Sequence, residues 1–340
     1  MPPMSITAKE LAKKLNLSAA AVSMALNNKS GVSTATRLHV IEMAKKYGYN
    51  FSRIAEKQGN TGCIYFVIYK KHGAVVADTP FFLEVSEGIQ RSCQKSGYQL
   101  KICYVYDDEE TIKKQLEEIR FSDCIGMVLL GTEMNPADLK AFSALQIPLV
   151  LLDSYFEEAS CDCILINNLQ GAFMATSHLI RKTKKQPGYL RSAYEIRNFS
   201  ERADGFYKAI RNHGMSASKS IIHSLTPSVD GAYADMMHIL KQKDELATCY
   251  FADNDFIAVG AMKALKEWGY HLPADISIIG FDNLPISSII EPALTTVHVP
   301  KQYMGELALK RLIAILHEPN IYPVKTELST SLIKRASILA

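Results

Sequence analysis

The run Thr7-Ala-Lys-Glu-Leu-Ala-Lys-Lys-Leu-Asn-Leu-Ser-Ala-Ala-Ala-Val-Ser-Met-Ala-Leu-Asn27 spells two short helices around a tight turn. Thr7 with Glu10 three residues later is a capping box, and Leu11, Ala12 and Leu15 then share one face, which predicts a first helix of about two turns. Asn16-Leu17 breaks it. Ser18 is a second N-cap candidate, and Val22, Ala25 and Leu26 repeat the apolar spacing. Two such helices form a helix-turn-helix pattern. Asn27 to Val32 reads as a loop, Ser33 as a third cap, and Leu38, Ile41, Ala44 and Tyr47 as a third apolar stripe that stops at Gly48. Any small basic bundle shares that spacing, so charge enters the argument. Residues 1–60 hold nine Lys and Arg against three Asp and Glu, so they carry +6 while the rest of the chain carries −3. Positive charge gathered on a helical head is the footprint expected for duplex DNA.

Working outward, 340 residues suit a small head plus two medium lobes. No apolar run approaches a membrane span, and Met1-Pro-Pro-Met-Ser-Ile6 lacks a signal-peptide layout, so a soluble cytoplasmic protein without membrane contact is expected. The seven cysteines are scattered in apolar runs with no CxxC pair, which points to buried thiols in a reducing compartment. Cys161-Asp-Cys163 has no further ligands nearby and reads as structural. No GxGxxG, P-loop, GxSxG or HExxH pattern occurs and the nine histidines form no motif, so neither an enzyme nor a cofactor is expected.

After Gly62 the texture changes. Apolar runs at 63–69, 98–103, 124–130, 148–152, 187–191, 219–223, 247–251 and 275–280 alternate with helical patterns near 82–96, 109–118, 136–145, 169–182, 201–213, 230–242, 255–268 and 301–316. This alternation implies βαβ units, and one sheet of every strand would be unusually wide, so two Rossmann-like lobes are predicted. Ligands in such sheets sit beyond the carboxyl ends of the strands. Asp153, Asn254, Asp255 and Asp282 fall there, with Phe81 and Phe82 as an apolar face and Arg202 as a bidentate donor: a set suited to a polyol. Each has a plainer reading. Asp255 and Asp282 could cap the next helices, the aromatic pair could be core, and Arg202 could pair along its own helix.

The wording of the head resembles the lactose/galactose repressor (LacI/GalR) family at Leu17-Ser18, Val22-Ser23, Leu26-Asn27, Gly31-Val32-Ser33, Thr36-Arg37 and Gly48-Tyr49. The resemblance continues through Asn167-Asn-Leu-Gln-Gly171, Glu201-Arg-Ala-Asp-Gly-Phe206, Ala252-Asp-Asn-Asp255, Pro273-Ala-Asp-Ile-Ser-Ile-Ile-Gly-Phe-Asp-Asn283 and Pro292-Ala-Leu-Thr-Thr-Val297. It implies an all-α head at 1–50, a hinge helix at 51–60 and a periplasmic-binding-protein-like α/β effector and dimerisation domain at 61–340. Lobe one is then near 61–165 and 299–321, and lobe two near 166–298 and 322–340.

By the same resemblance, Asp153, Arg202, Asn254 and Asp282 match effector contacts, Phe81 and Phe82 a ring-contacting pair, and Asn198 another contact; Arg197 stands one residue from a charged one. Phe81 and Phe82 suit a purine as readily as a pyranose. Ala19, Ala20 and Met24 occupy base-reading positions, and being small or apolar they can read only thymine methyls and close approach. Ser18, Ser23, Asn27, Ser33 and Thr36 match phosphate contacts, with Arg37, Lys29 and Lys9 as auxiliary charges. Arg53, Ile54 and Ala55 keep the hinge pattern, but Gln58 replaces the leucine that opens the minor groove. The expectation is a DNA-binding transcriptional regulator, a repressor, acting as a homodimer on double-stranded operator DNA under a sugar or sugar-derivative effector. A solute-binding protein is the alternative, and it leaves the head unexplained.

Overall fold

A computed structural model describes residues 6–26, 31–47, 49, 63–71, 73, 75–76, 79–319 and 321–339. Asn27, Lys29, Arg53, Ile54, Ala55 and Gln58, together with the expected hinge helix, lie outside the described residues.

The head has helices α1 (Ala8–Leu15), α2 (Ala19–Leu26) and α3 (Thr34–Lys46). Thr7 and Glu10 close the reciprocal capping box, and Asn16 ends α1 in left-handed backbone at φ +53°. Ser18 Oγ accepts the Ala21 N–H at 3.0 Å and Ser33 Oγ the Thr36 N–H at 3.1 Å, so both expected caps form. Leu11, Ala12, Val22, Ala25, Val40 and Ala44 make the head's own buried core.

The remaining chain builds two six-stranded sheets. The first contains β1 (Cys63–Lys70), β2 (Gln99–Tyr106), β3 (Cys124–Leu130), β4 (Leu149–Leu152), β5 (Asp162–Ile166) and β11 (Lys325–Leu328), in the order β11-β5-β4-β3-β1-β2 and parallel throughout. The second contains β6 (Gly188–Ser192), β7 (Ile222–Leu225), β8 (Cys249–Ala252), β9 (Ser277–Asp282), β10 (Thr295–His298) and β12 (Ser331–Ile333), in the order β12-β10-β9-β8-β6-β7. Only β12 runs antiparallel. Helices α4 (Pro80–Lys95), α5 (Glu109–Arg120), α6 (Pro136–Ser143), α7 (Asn168–Thr183), α8 (Arg197–Asn212), α9 (Val229–Gln242), α10 (Asp255–Glu267), the single turn α11 (Ile286–Ile289) and α12 (Lys301–His317) cover the sheets.

Strand alternation explains why both faces are dry. In β1, Ile64, Phe66 and Ile68 join a core shared with α4 and α12, while Cys63, Tyr65, Val67 and Tyr69 join the core under α5 and α6. The first of these cores is continuous with Tyr189, Phe251 and Phe281 of the second sheet, so one apolar mass runs beneath the interlobe seam.

The structure differs from the sequence expectations in places. Strands β5, β10, β11 and β12 are short and fell outside the eight expected runs; β7 begins later than the 219–223 run, since Ala217–Lys219 is a 3-10 turn. Residues 325–328, expected with the second lobe, pair with β5 in the first sheet, because Val324 accepts the Cys163 N–H at 2.9 Å and Asp162 accepts the Val324 N–H at 2.9 Å. The third passage between sheets therefore falls between β11 and β12, where Thr330 binds Gln170. The Cys161 and Cys163 sulfurs lie 3.7 Å apart, and among the described residues no cluster of three or more ligating side chains could hold a metal ion.

Candidate functional site

The carboxyl ends of β4, β8 and β9 meet the starts of α4, α8 and α10 at the seam between sheets, around a partly open cavity. Seven expected residues line it: Phe81, Phe82, Asp153, Asn198, Arg202, Asn254 and Asp282. Thr132, Phe199, Phe256 and Leu284 line it as well, and sequence reading missed them.

Asp153, one residue beyond β4, is turned into the cavity by left-handed backbone at φ +62°. Its Oδ2 accepts the Thr132 hydroxyl at 2.7 Å, while its buried Oδ1 has no hydrogen-bond partner among the described residues. Burial pushes its pKa up to about 6, against the opposing pull of Thr132, Arg202 and the nearby Asn198 side chain. An orphaned buried acceptor is costly, and a ligand hydroxyl would satisfy it.

Arg202 is held on every side. Its Nε donates to Asn168 Oδ1 at 3.0 Å, one terminal nitrogen donates to the Asp253 carbonyl, and the other reaches Asp282 Oδ1 at 3.2 Å. The guanidinium lies 3.8 Å from the Phe281 ring centroid. The own-helix pairing considered for it does not occur; its charge is spent across the site. Asp282 ends β9 at φ +103°, and burial raises its pKa despite Arg202 and Lys301. Asn254, not Asp255, caps α10: its side-chain oxygen accepts the Ile257 N–H at 2.9 Å, leaving the amide NH₂ for a ligand. Asp255 lies fully buried behind the site, bound to Thr296 and Leu284, and burial followed by repulsion from Asp282 raises its pKa to about 8.

Arg197 is the exception. It points away from the cavity to a bidentate pair with Glu157, approaches Glu201 at 3.4 Å, and lies 3.6 Å from the centroid of Tyr155, which Lys325 also approaches at 3.3 Å. Its partners Tyr155 and Glu157 follow a strand of the first sheet whereas α8 belongs with the second, so Arg197 ties the two halves together.

Glu133 organises the mouth. Its buried carboxylate accepts the N–H groups of Lys71, Gly73, Val75 and Val76 at 2.8–3.1 Å, and Val75 lines the cavity. Burial alone would raise its pKa, but those four hydrogen bonds outweigh it and leave it lowered. No local motif announces this role.

In the head, α2 turns Val22 and Ala25 inward and leaves Ser18, Ala19, Ala20 and Ser23 exposed, with Met24 half-buried. Ser33 is exposed and shares a 2.8 Å hydroxyl contact with Thr36. Small side chains on an outward helix permit close approach to a groove. No described helix is long and apolar enough to cross a membrane.

Comparison with known proteins fits this geometry. A family model described as a periplasmic binding protein-like domain matches residues 176–338. Two relatives named HTH-type transcriptional repressor PurR, from Mannheimia succiniciproducens and Glaesserella parasuis, are 29% and 28% identical; the matches cover 98% and 93% of this chain and 98% and 92% of theirs. A lac repressor dimer bound to operator and the anti-inducer ONPF superposes with a TM-score of 0.72 at 21% identity, covering 98% of this chain and 99% of that one. A LacI family transcriptional regulator from Enterococcus faecalis with bound ribose gives 0.69 at 26% identity, covering 82% and 98%.

Proposed function

We propose that the chain is an effector-controlled DNA-binding repressor of the lactose/galactose repressor (LacI/GalR) family, and that a neutral, monosaccharide-sized sugar or sugar derivative occupies the interlobe cleft. The observation that carries this is the balance of donors and acceptors. Asp153 offers an unused acceptor, Asp282 a carboxylate, and Asn254 an amide donor, a pattern met by a ring of hydroxyls, each both donor and acceptor. Among the described lining residues the only cation is Arg202, whose nitrogens are already engaged, so a phosphorylated sugar would find no free countercharge. The similar Enterococcus structure holds ribose. A planar purine is the second reading, favoured by the aromatic walls Phe81, Phe82, Phe199 and Phe256.

The repressor acts in the cytoplasm as a homodimer. Leu83 on α4 is 61% exposed, and Ile102, Tyr104 and Tyr106 stand out from the neighbouring edge strand β2, an apolar surface with an unpaired ladder that a second copy would cover. Ligand binding changes the angle between the lobes, and operator affinity follows from the difference between the two states' affinities for ligand. Ser18, Ser23, Asn27, Ser33 and Thr36 hold phosphates, Ala19, Ala20 and Met24 face base edges, and Arg53, Ile54 and Gln58 meet the minor groove.

A thermal-shift panel of D-ribose, D-galactose, cellobiose, ribose 5-phosphate and hypoxanthine tests the ligand class, since saturation at a hundred times Kd stabilises by about 2.7 kcal/mol. A neutral sugar is expected to raise the melting temperature. A response to ribose 5-phosphate or hypoxanthine alone would replace the reading. Selection from a random duplex library at stated salt tests the other half, and a failure to enrich any two-fold-symmetric site would sink the dimeric operator.

A further inference from the structure

Lys301, the first residue of α12, is buried with only 1% of its side chain exposed, although a lysine at a helix start normally reaches water. Its ammonium donates to the Asp282 carbonyl at 2.8 Å and the Asn283 carbonyl at 3.4 Å, and pairs with Glu84 at 3.5 Å. The ammonium thus meets two carbonyls by hydrogen bonds and one carboxylate as an ion pair. Two of those acceptors belong to the corner where β9 delivers Asp282 to the cleft, and the third lies on α4, three residues after Phe81 at the cleft's other wall.

The helices on the receiving side are locked to each other. A Cβ at Gly88 would lie 1.9 Å from the Gln302 carbonyl oxygen and one at Gly305 would lie 2.2 Å from that of Val85, so α4 and α12 pack backbone to backbone. Gln302 adds a 3.0 Å bond to Glu87. Lys301 also stands just past Val299 and Pro300, where the chain leaves the second sheet for the first.

We infer that Lys301 is a positioning residue that pins the Asp282–Asn283 corner of the cleft to the rigid α4–α12 pair, so that displacement of one moves the other. The signal it carries is that of the cleft ligand proposed above; the pin itself operates with or without one. Leu83, beside Glu84, faces outward, so the pin ends at the surface assigned to the second copy.

Hydrogen exchange on the full ligand-free chain tests this. Glu84→Gln keeps the ammonium but removes its ionic anchor, and Glu84 is partly exposed, so the fold survives even if Lys301→Met does not assemble. Glu84→Gln is expected to speed exchange about tenfold at both 80–87 and 282–287, with 229–242 at the wild-type rate. A disturbance from the cleft side, Arg202→Lys, should then raise exchange in 80–87 of the wild type but add nothing in the Glu84→Gln background. Acceleration confined to α4, or an Arg202→Lys effect on α4 of equal size in both backgrounds, would overturn the pin. D-ribose that shifts neither the melting temperature nor either segment, with the ligand-free coupling intact, would remove the sugar and leave the pin standing.

Discussion

Asp153 carries a buried carboxylate with one oxygen unpartnered among the described residues, and burial holds its pKa near 6 instead of the usual 3.8. A folded-state pKa raised above the unfolded one means that stability is fullest at low pH and is lost as pH rises from about 4 to about 6. Asp153→Asn is therefore expected to stabilise the empty protein near pH 7.5 by roughly 1–3 kcal/mol while abolishing sugar-induced thermal shifts, and the gain should shrink near pH 4.5. Melts at both pH values check it, and a variant less stable at pH 7.5 would refute it. Glu133 has the opposite sign. Its lowered pKa places its contribution above the ordinary carboxylate range and removes it as pH falls through the folded value. Glu133→Gln keeps one acceptor oxygen and turns an NH₂ toward backbone donors, so a loss of about 2–4 kcal/mol in urea melts is expected, narrowing toward pH 4. Asp153 was legible in the sequence because it follows an apolar run at a strand end. Glu133 and Lys301 were not, because their partners lie far along the chain, and Arg197 was misplaced because neighbouring positions on a helix point about 100° apart.

At the scale of elements, α4 and α12 depend on two glycines that no side chain can replace. Gly305→Ala would drive a methyl into the Val85 carbonyl, so the helices must separate; a cost above about 3 kcal/mol and faster exchange in both are expected. An unchanged melting temperature would contradict the close packing. Helices were the readable elements, since capping signals at Thr7, Ser18 and Ser33 and apolar spacing act locally. The short strands were not. In β11, Lys-Thr-Glu-Leu is a strand only because β5 offers it a ladder, and β12 is three residues long beside β10. Tertiary pairing, rather than propensity, creates such edges.

The whole molecule joins two sheets through one continuous core and a seam of polar ties, so a ligand at the seam acts on the relative placement of large rigid bodies. In the proposed dimer that change reaches DNA through two heads held together. A single head of three helices presents only its own row of phosphate and base contacts, whereas linking two raises avidity by about 10²–10⁴ through effective concentration alone. Leu83→Asp places a charge on the exposed α4 surface without touching the core, so folding stability should stay within about 0.5 kcal/mol. In sedimentation at micromolar concentration the variant is expected to run as a monomer. Its affinity for a selected two-fold-symmetric site should fall by that same avidity factor, while the neutral-sugar thermal shift persists because the cleft lies within one chain. A variant that still sediments as a dimer would move the interface off α4 and β2, and a monomer that keeps full operator affinity would remove the dimer from the mechanism.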